Sequence, residues 1–315
     1  MSDEAAGTGN WTFVAAPDAD VDLTCVPDAL AAAPPEVAEG GKLLPRRPVE
    51  GAICRVCNES PASTREHIPP RAAGNTQTSR SHAFEEWLAR DESGSMTGGR
   101  VEQGGIFGFT LCEPCNRRSG RYAAEYRDWV ASCARLISAL DDSPQELDVL
   151  PTLKEMHIKL GPDVRPSAFA RQVLASMCSV AGPWNISSNP VIRQLVLGDD
   201  GAALPPPLKL TMGMYLGPNA FLAGPSLQVN QPSQQWRWIA VIAYPPFAFE
   251  LTLASDWSQP DVLCGIGNFL ELEAHTRGEV ELELPVLFSH TPYPGDWRNH
   301  HQIENRLDID GSPTS

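Results

Sequence analysis

The sequence predicts an α+β fold in two units: a small unit clamped at two points by cysteines, then a larger unit in which helices pack on an antiparallel sheet. Three observations predict it. Cys54-Arg-Val-Cys57 and Cys112-Glu-Pro-Cys115 are paired Cys-x2-Cys turns, apolar residues recur at helical spacing from Tyr122 to Leu140, and apolar residues alternate at period two in several segments after residue 207. With 315 residues and 42% apolar content, the chain is long enough for two cores of ordinary size.

Taken in order, residues 1–50 are rich in Ala, Pro, Asp and Glu and lack periodicity, so they read as a mostly disordered arm in which Trp11 and Phe13 are candidates to dock. Residues 51–142 form the small unit, with an insertion at 72–105. Within the insertion, Phe84, Trp87 and Leu88 fall at helical spacing over His82–Arg90, and the Gly- and Ser-rich stretch 91–105 predicts a loop, either a lid or a tolerated surface insertion. From Arg121 onward Tyr122, Tyr126, Trp129, Val130, Cys133, Ile137 and Leu140 make one apolar stripe, and Asp141-Asp142-Ser143-Pro144 ends the helix.

Residues 143–315 form the larger unit. Ser167, after Pro166, predicts the N-cap of a helix that buries Phe169, Val173, Leu174, Met177 and Val180. Asn189-Pro190 opens a second helix and Gly198 stops it. Strands follow: Leu208–Leu216, Trp236–Tyr244, Phe247–Leu253 and Val280–Leu284, the middle two joined by Pro245-Pro246 as a turn. Trp236 and Trp238 offer stacking surface, although their alternation with Arg237 is explained by sheet packing.

The formal charge of −15 argues against a chain that binds nucleic acid over its whole surface. Its distribution is uneven. Residues 51–135 carry 11 basic and 10 acidic side chains, against 3 and 9 before them and 10 and 20 after. All the basic residues of that middle segment are Arg, whose planar fork matches phosphate oxygens. The first residues carry neither a basic start nor an apolar run, and the uncharged stretches are interrupted by Pro, Gly, Asn and Gln. A soluble, cytoplasmic protein with no membrane segment is therefore the expectation. In a reducing compartment Cys-x2-Cys spacing points to metal before disulfide, while Cys25, Cys133, Cys178 and Cys264 are scattered singly and read as buried or free thiols.

Four thiolates from two tight turns are what a tetrahedral structural zinc site requires, and such an ion contributes folding free energy directly. Between the pairs lies Arg65-Glu66-His67-Ile68-Pro69-Pro70, and directly after the last cysteine come Asn116-Arg117-Arg118. A neutral imidazole with a pKa near ambient pH can take a proton from an attacking water, which makes His67 a candidate general base. The other histidines (His82, His157, His275, His290, His300 and His301) have no partner spacing that suggests a site.

This constellation resembles the HNH endonuclease family in its zinc-bound treble-clef, ββα-metal form. The matching residues are Cys54, Cys57, Glu66, His67, Cys112, Cys115 and Asn116, with Pro69 or Pro70 in the proline position after the His. Two departures stand out. The gap between the knuckles is longer than the family's, and the middle Asn, which in the family orients the loop, is not found in Gly104–Thr110. The resemblance implies a metal-dependent endonuclease that hydrolyses phosphodiester bonds, with DNA as the first partner to consider. It implies His67 as base and Glu66 and Asn116 as ligands to a catalytic Mg2+ or Mn2+. The acidic C-terminal unit, which the resemblance does not cover, is a candidate site for a protein or small-molecule activator. Arg65, Arg117, Arg118 and Arg121 are candidates for phosphate contact, or else a solvated helix face. The alternative from a different class is a zinc-stabilised interaction module without nuclease activity.

Overall fold

The computed structural model describes residues 11–14, 44–81, 100–141, 155–182, 185–217, 220–230, 235–253, 262–287, 295 and 297; the candidate helix at 82–90 lies outside them. Its α+β class is as the sequence predicts, with helices set against a large sheet and a separate small hairpin unit.

The small unit is a hairpin and a helix. Strand β2 (Thr64–His67) pairs antiparallel with β5 (Phe107–Leu111), and helix α1 (Glu113–Ser119) follows at once, begun by Pro114 in its first turn. Between β2 and β5, β3 (Ser79–Ser81) pairs with β4 (Arg100–Glu102), so part of the expected 91–105 loop is strand. A short 3-10 turn, Gly120–Tyr122, joins α1 to α2 (Ala123–Asp141), which ends at the predicted aspartate.

The larger unit is one sheet with two helices. Strands β1 (Trp11–Val14), β8 (Phe221–Asn230), β9 (Gln235–Tyr244), β10 (Phe247–Leu253), β7 (Leu208–Tyr215), β12 (Val280–Leu287) and β6 (Glu155–Leu160) lie in that order, with the short β11 (Cys264–Gly265) also on β7. Two expectations are corrected here. Trp11–Val14, read as part of an unstructured arm, is a strand at the edge of the sheet, paired with Leu227–Asn230. The sheet is mixed rather than antiparallel: β11 occupies β7 at Thr211 and Met212, so β12 reaches β7 only at Met214 and Tyr215, where it runs parallel.

Helices α3 (Pro166–Val180) and α4 (Pro190–Leu197) supply the packing layer. Asn189 caps α4 as predicted, its side chain accepting from Val191 N at 2.9 Å. Ser167 does not cap α3. Arg165 holds that position, and the Ser167 hydroxyl instead donates to Leu272 O at 2.7 Å and accepts from Arg171 Nε at 3.0 Å, because the guanidinium of Arg171 is fully buried and must find oxygen acceptors.

Every residue of α3 is buried. It lies between layers, touching the sheet, α2 and the small hairpin. Trp129 of α2 stacks on Phe169 of α3 with centroids 3.9 Å apart and planes 7° from parallel, and Tyr126, Phe247 and Phe249 close the same aromatic cluster. One continuous core runs from Cys54, Val56, Ile68 and Leu111 of the small unit through α3 to Met212, Ile242 and Phe249 of the sheet. The other sheet face is covered as well, by Tyr215, Ile239, Val241, Leu263, Leu287 and Trp297, so β7 is buried on both sides where its alternation predicts one. Among the described residues no helix is long and apolar enough to cross a membrane.

Candidate metal centre and hairpin site

The four knuckle cysteines meet. Their sulfurs all lie within 4.8 Å of one another, and Cys57 Sγ is 3.8 Å from Cys112 Sγ. A tetrahedral ion with bonds of about 2.3 Å to sulfur has S···S edges of about 3.8 Å, so the cluster is of the right size to hold a metal ion. The first knuckle closes through Asn58, which takes the left-handed conformation (φ 60°) and donates its N–H to Cys54 O at 2.9 Å; the second is the first turn of α1. Burial pushes the Cys54 thiol up to about 11 against backbone hydrogen bonds from Cys112, Cys57 and Val56, and pushes the Cys115 thiol higher still, with the neighbouring cysteines adding to it. At Cys57 burial is outweighed by backbone hydrogen bonds from Ser60 and Glu59 together with side-chain bonds from Cys54 and Cys112, which hold it down to about 7. Four thiolates this close repel one another, and a bound cation is what lets all four ionise together.

His67 ends strand β2, opposite Phe107 of β5, and is half-buried. Its Nε2 is 3.0 Å from Gly104 O. A carbonyl only accepts, so Nε2 carries the proton and Nδ1 is left as the basic atom. Burial holds the imidazole below its ordinary value, with the charges of Arg65, Arg71 and Arg46 acting in the same direction against the Gly104 bond. Gly104 O also accepts from Arg65 Nη2 at 3.1 Å, so one carbonyl orders both side chains.

Glu66 faces the other way. Successive side chains of a strand point to opposite faces, and Glu66 is only 5% exposed, buried against α3 rather than beside His67. Its Oε2 accepts from Thr110 Oγ1 at 3.0 Å and from the Ser179 hydroxyl, while Oε1 has no hydrogen-bond partner among the described residues. Burial pushes its carboxyl up to about 7 despite those two bonds and the nearby Arg55 guanidinium. The expectation that Glu66 joins Asn116 on a catalytic divalent ion does not fit this arrangement: the carboxyl is sealed against Thr110 and Ser179, where a hydrated divalent ion would have to shed its waters. Among the described residues, the four cysteines are the one group of three or more His, Cys, Asp or Glu placed to hold an ion.

Asn116, in α1, donates from Nδ2 to Thr64 Oγ1 and to Arg65 O, both at 3.1 Å. The second acceptor fixes the amide orientation, so Oδ1 is the atom that Asn116 can offer to a ligand. The helix is thereby tied to the strand that carries His67, and the hydrogen bonds of the two side chains go to different partners. Arg117 and Arg118 are exposed on the last turn of α1. Arg121 is corrected: its guanidinium donates to Asp199 Oδ2, Leu197 O and Gly198 O, satisfying carbonyls at the C-terminal end of α4, so its fork is occupied by protein.

Sequence reasoning missed three residues. Asn75 is 1% exposed and joins the two sides of the hairpin loop: Nδ2 donates to Pro69 O at 2.7 Å and Ile106 O at 2.8 Å, and Oδ1 accepts from Ile106 N at 2.7 Å. A loop-bracing Asn is therefore present, but near the start of the insertion rather than just ahead of the second knuckle. Gly105 must be glycine for it, since its φ is 87° and a Cβ there would collide with the Asn75 carbonyl. Arg46 and Arg71, the other two, come from the lead-in to the first knuckle and from the turn after Pro70. The only sequence signal for Arg46 was its arginine type, in a stretch read as an arm. Compared with known proteins, the chain matches no family model, no curated protein and no solved structure.

Proposed function

We propose that the protein is a zinc-stabilised endonuclease of the HNH type, with His67 as the general base and DNA as substrate. The observation that carries this reading is the bond between His67 Nε2 and Gly104 O, which fixes the tautomer with a basic Nδ1 on a half-buried imidazole. Zinc is the ion that four buried cysteine sulfurs at this spacing suit best, and its role is to hold hairpin and helix in register, not to react. In the reaction, Nδ1 takes a proton from water as the oxygen attacks phosphorus, the bond from phosphorus to the leaving 3′ oxygen breaks and that oxygen takes up a proton from solvent, while a guanidinium such as Arg65 balances the charge that builds on the phosphate oxygens. Asn116 holds α1 against β2 and keeps the strand in place. Of the two residues expected to bind Mg2+ or Mn2+, Glu66 is buried against α3 and Asn116 alone is partly exposed, so no step is derived through that ion.

The burial of Glu66 favours a second reading, an interaction module on a metal-clamped scaffold without cleavage. Supercoiled plasmid incubated with Mg2+ or Mn2+ separates the two. Nicking by the wild type that disappears in His67→Ala, with metal content and fold unchanged, is the result the nuclease reading requires; no nicking by a zinc-loaded wild type under any divalent ion overturns it in favour of the module.

A further inference from the structure

We propose that Arg46, Arg65 and Arg71 form a phosphate-binding rim around His67, built on the ring of Phe107, that grips the phosphodiester backbone on either side of the bond to be cut. This rests on the reading of His67 as the base. The three side chains arrive from separate parts of the chain: the lead-in segment, strand β2 and the short turn Arg71–Ala73. Phe107 brings two of them together. The Arg65 guanidinium lies 3.5 Å from its ring centroid and that of Arg46 4.6 Å, while the His67 ring is 5.8 Å away.

Both stacked guanidiniums are also held by backbone carbonyls, Arg65 through Nη2 to Gly104 O at 3.1 Å and Arg46 through Nη1 to Phe107 O at 2.6 Å. The contact at Arg65 uses one of five N–H donors on a planar fork, and stacking on an aromatic face fixes the plane of both guanidiniums without covering the edge. A stacked Arg loses less freedom on binding than a mobile one, and its fork matches two phosphate oxygens.

The lead-in segment is seated for this purpose. Pro45 O accepts from Phe109 N at 2.7 Å, and Leu44 lies against Gly108, where a Cβ would press on the Leu44 side chain at 3.1 Å. Arg46 is thereby fixed to β5 instead of trailing in solvent. Arg65 and Arg71 are exposed. In a chain of net charge −15, three guanidiniums gathered about one imidazole repel one another, and an anion relieves that repulsion.

The test uses the full chain with His67→Ala, which removes turnover, and a fluorescent DNA duplex whose binding is followed by anisotropy over a salt series. Adding R46A, R65A and R71A together is expected to weaken binding at least tenfold and to flatten the slope of log affinity against log salt by about 0.9 for each lost phosphate contact. R277A, which breaks an ion pair with Asp163 in the larger unit, serves as the control and leaves the slope unchanged. If the triple variant does not fold, R71A alone is read, with a slope loss of about 0.9 expected. Unchanged affinity and slope in a folded rim variant overturn the proposal. An RNA duplex run in parallel identifies the source of the backbone: rim dependence with either nucleic acid supports the site, and none with either sinks it. The two readings fail separately. Rim-dependent binding with no cleavage by the wild type removes the nuclease and keeps the rim, whereas cleavage by the wild type with rim-independent binding does the reverse.

Discussion

Glu66 and His67 are adjacent in the chain and belong to different environments. The imidazole stands at the hairpin's open side among guanidiniums, and the carboxyl is sealed against Thr110 and Ser179. Because the folded state raises the Glu66 carboxyl to about 7, the folded chain holds a proton that the unfolded chain has released between the ordinary carboxylate range and that value. Its contribution to stability is thus fully present at low pH and falls as pH rises towards 7. Glu66→Gln is expected to remove that decline and to stabilise the protein above pH 7 by on the order of 3 kcal/mol, seen as a flatter plot of denaturant stability against pH. A variant whose decline matches the wild type's would show that the carboxyl is ionised throughout. His67 shifts the other way, below 6.5, because burial disfavours its charged form. As a base it must be neutral, so the acid limb of nicking activity is expected to have its midpoint below 6.5. A midpoint above that value would mean that a different group is titrating.

At the scale of elements, the hairpin depends on Asn75. Removing its side chain takes away the bonds to Pro69 O and Ile106 N and leaves Ile106 O with only its bond from Ile68 N, in a largely buried loop where each buried group left without a partner costs about 1–3 kcal/mol. Asn75→Ala is expected to lower stability by roughly 3 kcal/mol in equilibrium unfolding, and Asn75→Asp by at least as much, since a carboxylate cannot donate to two carbonyls. If Asp is tolerated, the bracing role is wrong. This residue was not legible because its partner Ile106 lies 31 positions away, across an insertion that the sequence alone cannot fold back. The knuckles and the α2 stripe were legible because their signals are local: a fixed Cys spacing and a period close to 3.6. Strand β8 was hidden by Gly224-Pro225, which sits at the irregularity in its pairing with β9 between Ala223 and Ser226. Strand β6 carries a clear alternation, Glu155-Met-His-Ile-Lys-Leu160, and was overlooked beside the stronger helical pattern that follows it. The Glu66 misreading has the same root: a dyad read as one motif is split by the two-residue period of the strand that carries it.

Over the whole molecule, the first knuckle is joined to the larger unit as firmly as to its own hairpin. The Arg55 guanidinium donates to Ser179 O, Ser187 Oγ donates to Arg55 O at 2.6 Å, Asn58 Nδ2 donates to Ser187 Oγ at 3.2 Å, and Glu59 pairs with Arg193 at 3.6 Å. With one core shared between the units, removing the metal is expected to loosen both of them. Under a strong chelator the near-ultraviolet signal of the Trp129–Phe169 stack should fall together with the far-ultraviolet signal, and retention of that stack would show that the units fold independently. Everything proposed for His67 depends on the ion that fixes its hairpin. The most direct measurement is X-ray absorption at the zinc edge of the purified full-length chain, together with its metal content. The account predicts one zinc per chain with four sulfur neighbours at about 2.3 Å; a chain folded without zinc, or zinc bound by nitrogen and oxygen, would contradict it.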